Sequence, residues 1–357
     1  MTTPAPIRVG VVGLGKIAQT HHLPNIREIP GLELASVCDI SAQLARSIAG
    51  RYGLSEDAAT TQVSDLLDGR VDALVVANRD HLPLVAAASA AGLPVFVEKP
   101  LCWSTLEAQQ LLSIEASTGV PVVVGYMKRY DAAVERVASA LDDGNPPLWV
   151  RSHNFAGGRH RTERLYQIDK PEPPGDGMSE NDSINAVVTA AVGPDPSRVE
   201  VYRLLAELGI HHFNLLAAWF GPLTVTTAGA QLTEAGWCVT VGFRAGRVQG
   251  VFEILPDFLG AREWDERISL YRPGSLTELV FGTPFVRNEP TIICERGSDA
   301  GDAVFTETLV SRESAFKREL QHFLEVVLDK VPARTSVREA VRDLTFIDEV
   351  MTKLVIT

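Results

Sequence analysis

Ile7-Arg8-Val9-Gly10-Val11-Val12-Gly13-Leu14-Gly15-Lys16-Ile17-Ala18 is the stretch that decides the fold. A short β-branched run ends in Gly13-Leu14-Gly15-Lys16-Ile17-Ala18, which fits G-x-G-x-x-[G/A] at the entry to a helix. Each small residue has a reason. Gly13 permits the tight turn, Gly15 lets a phosphate approach the backbone, and Ala18 lets helix and strand pack closely. The helix start, with Lys16 and Ile17 in its first turn, offers unpaired N–H groups and a partial positive charge. Alone the motif is weak; its context raises it. Leu32–Cys38 reads as the next strand, and Asp39 follows it, 21 residues after Ala18. A carboxylate there accepts hydrogen bonds from adenosine ribose hydroxyls and repels a 2′-phosphate. No Arg or Lys stands in Ile40-Ser41-Ala42, so the pattern favours NAD over NADP. The competing reading is a glycine turn in a similar fold with another ligand.

Outward from this stretch, short Val- and Leu-rich runs alternate with helical patterns. The strands expected are Arg8–Val12, Leu32–Cys38, Ala73–Ala77, Val95–Glu98 and Pro121–Tyr126. Helices are expected near Ile17–Glu28, Ser41–Tyr52, Val63–Leu67, His81–Ala91 and Thr105–Ser117. That rhythm means a parallel sheet covered on both faces, an α/β domain of the doubly wound Rossmann type over residues 1–126. After Tyr126 the rhythm changes. Val201–Trp219 reads as a helix, and six strand-like runs between Val225 and Glu295 follow with only short turns between them. Leu148–His153 adds a strand, and Ser314–Lys330 and Ser336–Leu354 read as closing helices. Residues 127–357 are therefore expected to form an α+β domain on a large open, mainly antiparallel sheet. Residues 157–198, rich in Gly, Pro, Asp and charge, read as a long loop or insertion, and such loops are more often functional than inert.

The chain has 357 residues, enough for two domains with cores of their own. The net charge of −12 argues against nucleic acid and anionic membrane as partners, since both repel an acidic protein at long range. Arg159, His160, Arg161 and Arg164 form a small basic cluster, which more often marks a solvated loop or an anionic ligand group than nucleic-acid binding. Cys38, Cys102, Cys238 and Cys294 are too scattered for a thiolate metal site or a disulfide framework, and no signal peptide or membrane span is apparent. A cytoplasmic protein is expected.

Two constellations carry chemistry. Val95–Glu98 ends in Glu98-Lys99-Pro100, and ligand sites of open α/β sheets lie at the carboxyl ends of their strands. Lys99 is thus either a proton carrier beside a nicotinamide or half of a surface ion pair; partial desolvation of a lysine lowers its pKa toward neutrality. Glu207, His211 and Asn214, spaced by four and three, fall on one stripe of a helix at the edge of its apolar face. The stripe is a cleft-lining group or an ordinary Glu-His helix pair. His212 faces the apolar side as a satisfied core histidine. No fourth ligand completes a metal set around the stripe, so no metal is expected.

Together these segments resemble the Gfo/Idh/MocA oxidoreductases, and within them the inositol dehydrogenases. The matching stretches are Gly10–Ala18, Asp39, Ala77–His81, Glu98-Lys99-Pro100, Gly125–Asp131 and Glu207–Asn214. The resemblance implies that Asn78, His81, Glu98 and Met127 border the cofactor and that Lys99 sits at the reacting carbon. It implies that Lys128, and with it His153, Asn154 and Asn214, face the substrate, and that the C-terminal sheet makes homodimers or homotetramers. The family's helix motif typically reads Asp-x-Gly-x-His-x-x-Asp. Glu207, Gly209, His211 and Asn214 stand here instead, and with the long 157–198 segment this puts the substrate in doubt.

The activity expected is hydride transfer between a nicotinamide cofactor and a secondary alcohol or ketone of a sugar, sugar derivative or cyclitol. His211, oriented by Glu207 and with Lys99 alongside, would take the hydroxyl proton. Two alternatives stand beside it: a lyase or glycosidase that uses bound NAD for transient oxidation, and a non-catalytic dinucleotide-binding sensor.

Overall fold

The computed structural model describes residues 5–141, 146–155, 165–171, 180–255, 264–299 and 301–357. The Val-rich runs of the first third become β1 (Ile7–Val12), β2 (Leu32–Cys38), β3 (Ala59–Thr60), β4 (Ala73–Val76), β5 (Val95–Glu98) and β6 (Val122–Gly125). They pair in parallel in the order β3-β2-β1-β4-β5-β6. The order reverses between β1 and β4, which places a crevice at the carboxyl ends of those two strands. β4 and β5 are buried at every position, as a sheet covered on both faces requires.

The helices of this sheet begin and end where their sequence says. Ser41 and Ser104 each accept a backbone N–H three residues on, at 3.2 Å, and Gly53 and Gly119 close the same helices in the left-handed region. The helix after β1 departs from expectation. It runs from Lys16 to Glu28, but Ala18–His22 forms a π-helical turn, so side chains beyond it are rotated from α-helical spacing.

By compactness the chain falls into two units. The first is Met1–Tyr126 together with Tyr166–Ala191 and Phe316–Val341; the second is Met127–Leu165, Val192–Ala315 and Arg342–Thr357. A single division after residue 126 thus omits two returns to the first unit. In one of them, Leu320, Phe323 and Val326 of the helix Ala315–Val327 enter the core that holds Val9, Ile26 and Phe96. Burying each such side chain contributes about 1.5–3 kcal/mol. Thr335 O then accepts Val124 N–H (2.9 Å), and the Thr335 hydroxyl donates to the Val124 carbonyl (2.6 Å).

The reading of 157–198 as loop is corrected in its second half. Glu180–Val192 is a helix, with Ile184 and Val188 buried one turn apart, and Pro196–Leu204 begins the next. Asp195 caps the latter by accepting Ser197 N–H at 3.0 Å. Arg159, His160, Arg161 and Arg164 lie outside the described residues.

In the second unit β7 (Trp149–Phe155), β8 (Thr224–Thr233), β9 (Gly236–Ala245), β10 (Val248–Leu255), β11 (Asp265–Arg272), β12 (Ser275–Phe281), β13 (Ile292–Asp299), β14 (Asp302–Leu309) and β15 (Leu354–Ile356) form one open sheet. Its order is β14-β13-β12-β11-β7-β10-β9-β8-β15, parallel only at β7–β10 and β8–β15. β15 begins at Leu354, where the last helix was expected to end, and β14 was not read at all. Its residues are nearly all exposed, and the apolar ones do not alternate cleanly. Among the described residues, no helix is long and apolar enough to cross a membrane.

Candidate functional site

The glycine turn has the geometry its sequence demands. Gly13 adopts φ +84°, and a Cβ there would collide with the backbone N of Asn78. Its N–H donates to Cys38 O at 2.9 Å, and Ala77 N–H donates to Val12 O at 2.7 Å, which draws the ends of β1, β2 and β4 together. Gly15 is exposed, with nothing within 4 Å of where a side chain would begin. A phosphate can therefore reach the backbone at Gly15.

Asp39 accepts Leu14 N–H on one oxygen at 2.8 Å and Ser41 N–H on the other at 2.9 Å. Each oxygen keeps a second lone pair, so the carboxylate is fixed in place yet still able to accept from a ribose diol. The residue beyond it, Ile40, is 87% exposed and apolar, so it offers a 2′-phosphate no cation. Glycine cradle and carboxylate fit a nicotinamide dinucleotide.

Glu98 ends β5, buried, with Oε1 2.8 Å from His22 Nε2; its Oε2 accepts Lys99 N–H at 3.2 Å. Burial pushes its pKa up, but the hydrogen bond and charge of His22, and the charge of Lys99, hold it below the usual carboxylate range. Lys99 itself is half-buried. Sequence reasoning placed Glu98 at the cofactor; in the structure it hydrogen-bonds His22 and the Lys99 backbone.

His81 is almost fully buried, and both ring nitrogens are occupied. Nδ1 lies 2.8 Å from Pro100 O and Nε2 2.6 Å from Asn78 O. Burial lowers its pKa against the raising effect of these carbonyls. It braces the turn after β4 against the segment after β5, rather than presenting a nitrogen to a ligand. Asn78 donates to Asp80 O (2.9 Å) and to Glu180 Oε1 (3.2 Å), and the same oxygen accepts Arg79 and Asp80 N–H at 2.6 and 2.9 Å. Glu180 was missed by sequence reading; it holds this turn from within the former loop segment. Asp169 exchanges two hydrogen bonds with the side chain of Gln19, in the helix after β1, both 2.9 Å.

In the second unit the expected substrate residues fall into a buried network. Lys128 is 2% exposed, its Nζ 2.8 Å from Glu266 Oε2 and 3.7 Å from the Phe281 ring centroid. Glu266 Oε1 also takes Asn154 Nδ2 at 2.9 Å and His212 Nε2 at 2.6 Å, while Trp264 Nε1 donates to Oε2 at 3.1 Å. His212 Nδ1 meets Ser152 Oγ at 2.6 Å. Burial would raise Glu266, but the Lys128 charge and the His212 hydrogen bond hold it well below the usual range. For His212, burial lowers the pKa more than Glu266 raises it, so the ring is neutral: Nε2–H donates to Glu266 and Nδ1 accepts from Ser152. This Ser-His-Glu line has no exposed member and is a core network, which bears out the reading of His212 as a core histidine.

Three expectations need correction. Lys128 and Asn154 Nδ2 are both held by Glu266, while Asn154 Oδ1 has no hydrogen-bond partner among the described residues. His153 and Asn154 cannot face one ligand together, because neighbouring strand residues point to opposite faces. His153 lies on the Trp149 and Arg151 face, stacked on Phe155 with Nε2 3.3 Å from Asp265. Asn214 is fully buried, donating to Asp343 Oδ2 at 2.7 Å and accepting from Arg129 Nη1 at 3.1 Å.

The polar stripe crosses a second π-helical turn, Leu205–Gly209, between the helices Pro196–Leu204 and Ile210–Phe220. His211 is half-buried and Asn214 wholly so. Glu207 lies 3.7 Å from Arg203, one turn earlier. Met127 is buried in the second unit at the start of a 3-10 turn.

Residues 7–126 match the oxidoreductase family described as having an NAD-binding Rossmann fold, Gfo/Idh/MocA. The match covers the first third of the chain, the segment that forms the parallel sheet. An inositol 2-dehydrogenase of Saccharopolyspora erythraea is 36% identical over 150 residues, 41% of this chain and 44% of that enzyme. The inositol 2-dehydrogenase of Salmonella typhimurium is 29% identical over 155 residues, 42% and 46% of the two chains. The chain thus spans less than half the length of these curated relatives. Two solved structures share the fold over 98% of both chains, each at 18% identity. One is KijD10, a 3-ketoreductase from Actinomadura kijaniata in complex with NADP and TDP-benzene (TM-score 0.74); the other is the UDP-N-acetylglucosamine 3-dehydrogenase GnnA from Acidithiobacillus ferrooxidans (TM-score 0.71).

Proposed function

We propose that this chain is a nicotinamide-dependent oxidoreductase of the Gfo/Idh/MocA family. Its substrate in this reading is a secondary alcohol, or the matching ketone, of a sugar, sugar derivative or cyclitol. The observation that carries it is the pairing, in one unit, of the Gly13–Gly15 cradle and Asp39 with the Glu98-Lys99 strand end. The relatives named as inositol dehydrogenases and sugar ketoreductases support the substrate class.

When bound, the nicotinamide supplies the hydride acceptor or donor. Asp39 holds the ribose diol and, with Ile40 rather than a cation beside it, selects NAD over NADP. Glu98 fixes the backbone at Lys99 through the 3.2 Å hydrogen bond, so the Lys99 ammonium starts from a defined strand end. Lys99 Nζ and the His211 imidazole hold and move the hydroxyl proton, with Glu207 orienting His211. The exposed rings of Trp149 and Tyr271, paired in register on one sheet face, support a homo-oligomer formed through the sheet.

The test is a panel of sugars, nucleotide sugars and cyclitols with NAD and NADP, followed at the nicotinamide absorbance. Net NADH formation with a polyol is expected. Lys99→Ala and His211→Ala should each remove turnover while NAD binding survives. Near-normal turnover in either variant, or product formed without net NADH, would refute the assignment.

A further inference from the structure

His22, Glu98 and Glu319 bring one imidazole and two carboxylates together in the first unit, with their nearest ligand atoms all within 4.8 Å of one another. They come from the π-helical turn, the end of β5 and the helix Ala315–Val327. His22 and Glu319 are fully buried and Glu98 nearly so. Phe96 and Phe316 stand edge-on to His22, which leaves the cluster an apolar jacket.

Glu319 is the group that the rest of the fold leaves unexplained. Neither of its oxygens has a hydrogen-bond partner among the described residues, and His22 Nδ1 has none either. A buried polar group left in that state is costly.

A divalent cation held by all three would complete the cluster, with a second carboxylate oxygen or a water as the fourth ligand that zinc takes. Two carboxylates and a neutral imidazole neutralise a double positive charge, and all three side chains then have a partner. Donor atoms on the shell of one zinc ion lie about 3–4 Å apart, given metal–ligand distances near 2.0–2.2 Å. The present spread, from 2.8 Å between His22 and Glu98 to at most 4.8 Å, needs only small side-chain shifts to match it. An imidazole with two carboxylates suits first-row dications such as zinc or manganese. We propose that His22, Glu98 and Glu319 form a buried structural site for a divalent cation, tying the Ala315–Val327 helix to the strand end that precedes Lys99. The site shares Glu98 with the strand end that positions Lys99, but its metal content can be measured without any assumption about the hydride chemistry.

Zinc content is the direct test. Protein purified without chelator, loaded with zinc ion and desalted, should carry roughly one zinc per chain by plasma mass spectrometry. Glu319→Gln and His22→Ala should each carry less than about a tenth of that, whereas Glu253→Gln, on the sheet of the second unit, should match the parent protein. Chelation of the unmutated protein should lower Tm, and zinc should restore it. That second measurement needs no variant to fold. Zinc below a tenth of an equivalent in the loaded protein, with Tm unmoved by chelator, overturns the proposal. So does zinc retained equally in both site variants. An infrared band of a neutral carboxylic acid in the loaded protein, lost in Glu319→Gln, also overturns it, since it would show a proton where the cation should be.

Discussion

Replacing Lys128 by Met removes one partner of the buried ion pair and keeps most of the side chain's volume. The side chains of Lys128 and Glu266 are 3% and 1% exposed, so solvent screens the pair little. Glu266 would keep Asn154, His212 and Trp264 as donors but lose the positive charge of Lys128. Breaking a buried pair on one side typically costs about 3–5 kcal/mol, because the remaining charge is left uncompensated. For a unit of this size that corresponds to a fall of roughly 6–20 °C in Tm. Calorimetry and denaturant titration measure it, and Lys128→Met/Glu266→Gln should recover much of the loss. If Lys128 instead faced the substrate, the single variant would keep its Tm while KM rose. An unchanged Tm with a raised KM would refute the structural role argued from the 2.8 Å contact.

Other perturbations separate cofactor binding from folding. Gly15→Ala should leave Tm unchanged, since nothing lies within 4 Å of the new methyl, yet weaken NAD binding at least about tenfold by keeping the phosphate off the backbone. Gly13→Ala should lower Tm as well, because φ +84° and the Asn78 backbone both oppose a side chain. Asp39→Ser/Ile40→Arg should shift kcat/KM from NAD toward NADP by about tenfold or more, measured with either cofactor at fixed substrate. Acid should expose the Glu266 network. A carboxyl with a depressed folded pKa adds stability that is present above its unfolded pKa and lost as pH falls toward the folded value, so Tm should drop below about pH 4. The Lys128→Met/Glu266→Gln protein should show a shallower acid slope.

The parallel sheet was legible because its signals are local. β2 and β5 have the bounds the apolar runs set, and the glycine turn stands where a strand meets a helix. The π-helical turns at Ala18–His22 and Leu205–Gly209 were not legible, because their residues fit α-helical spacing equally well. The second turn shifts Glu207 relative to His211, whereas Asn214 falls on the buried side of the regular helix Ile210–Phe220 that also carries His211. The helix Glu180–Val192 was hidden by its Gly- and Pro-rich neighbours, and only the apolar patch at 186–192 hinted at it.

The two charged groups that matter most inside the fold carried a signal that the motif reading passed over. Glu319 shares a helical stripe with Phe316, Leu320 and Phe323, and Glu266 shares a strand face with Ile268 and Leu270. A carboxylate at a position where the period calls for an apolar residue must find a partner or lose its charge. Glu266 finds Lys128, which is only two residues past the end of the Rossmann segment and was credited to the substrate. Glu319 has no such cation within the described residues, and its nearest ionised neighbour is another carboxylate. Charge at a core position therefore separates the two units' problems: one is solved by the chain itself, and the other calls for something the chain does not encode.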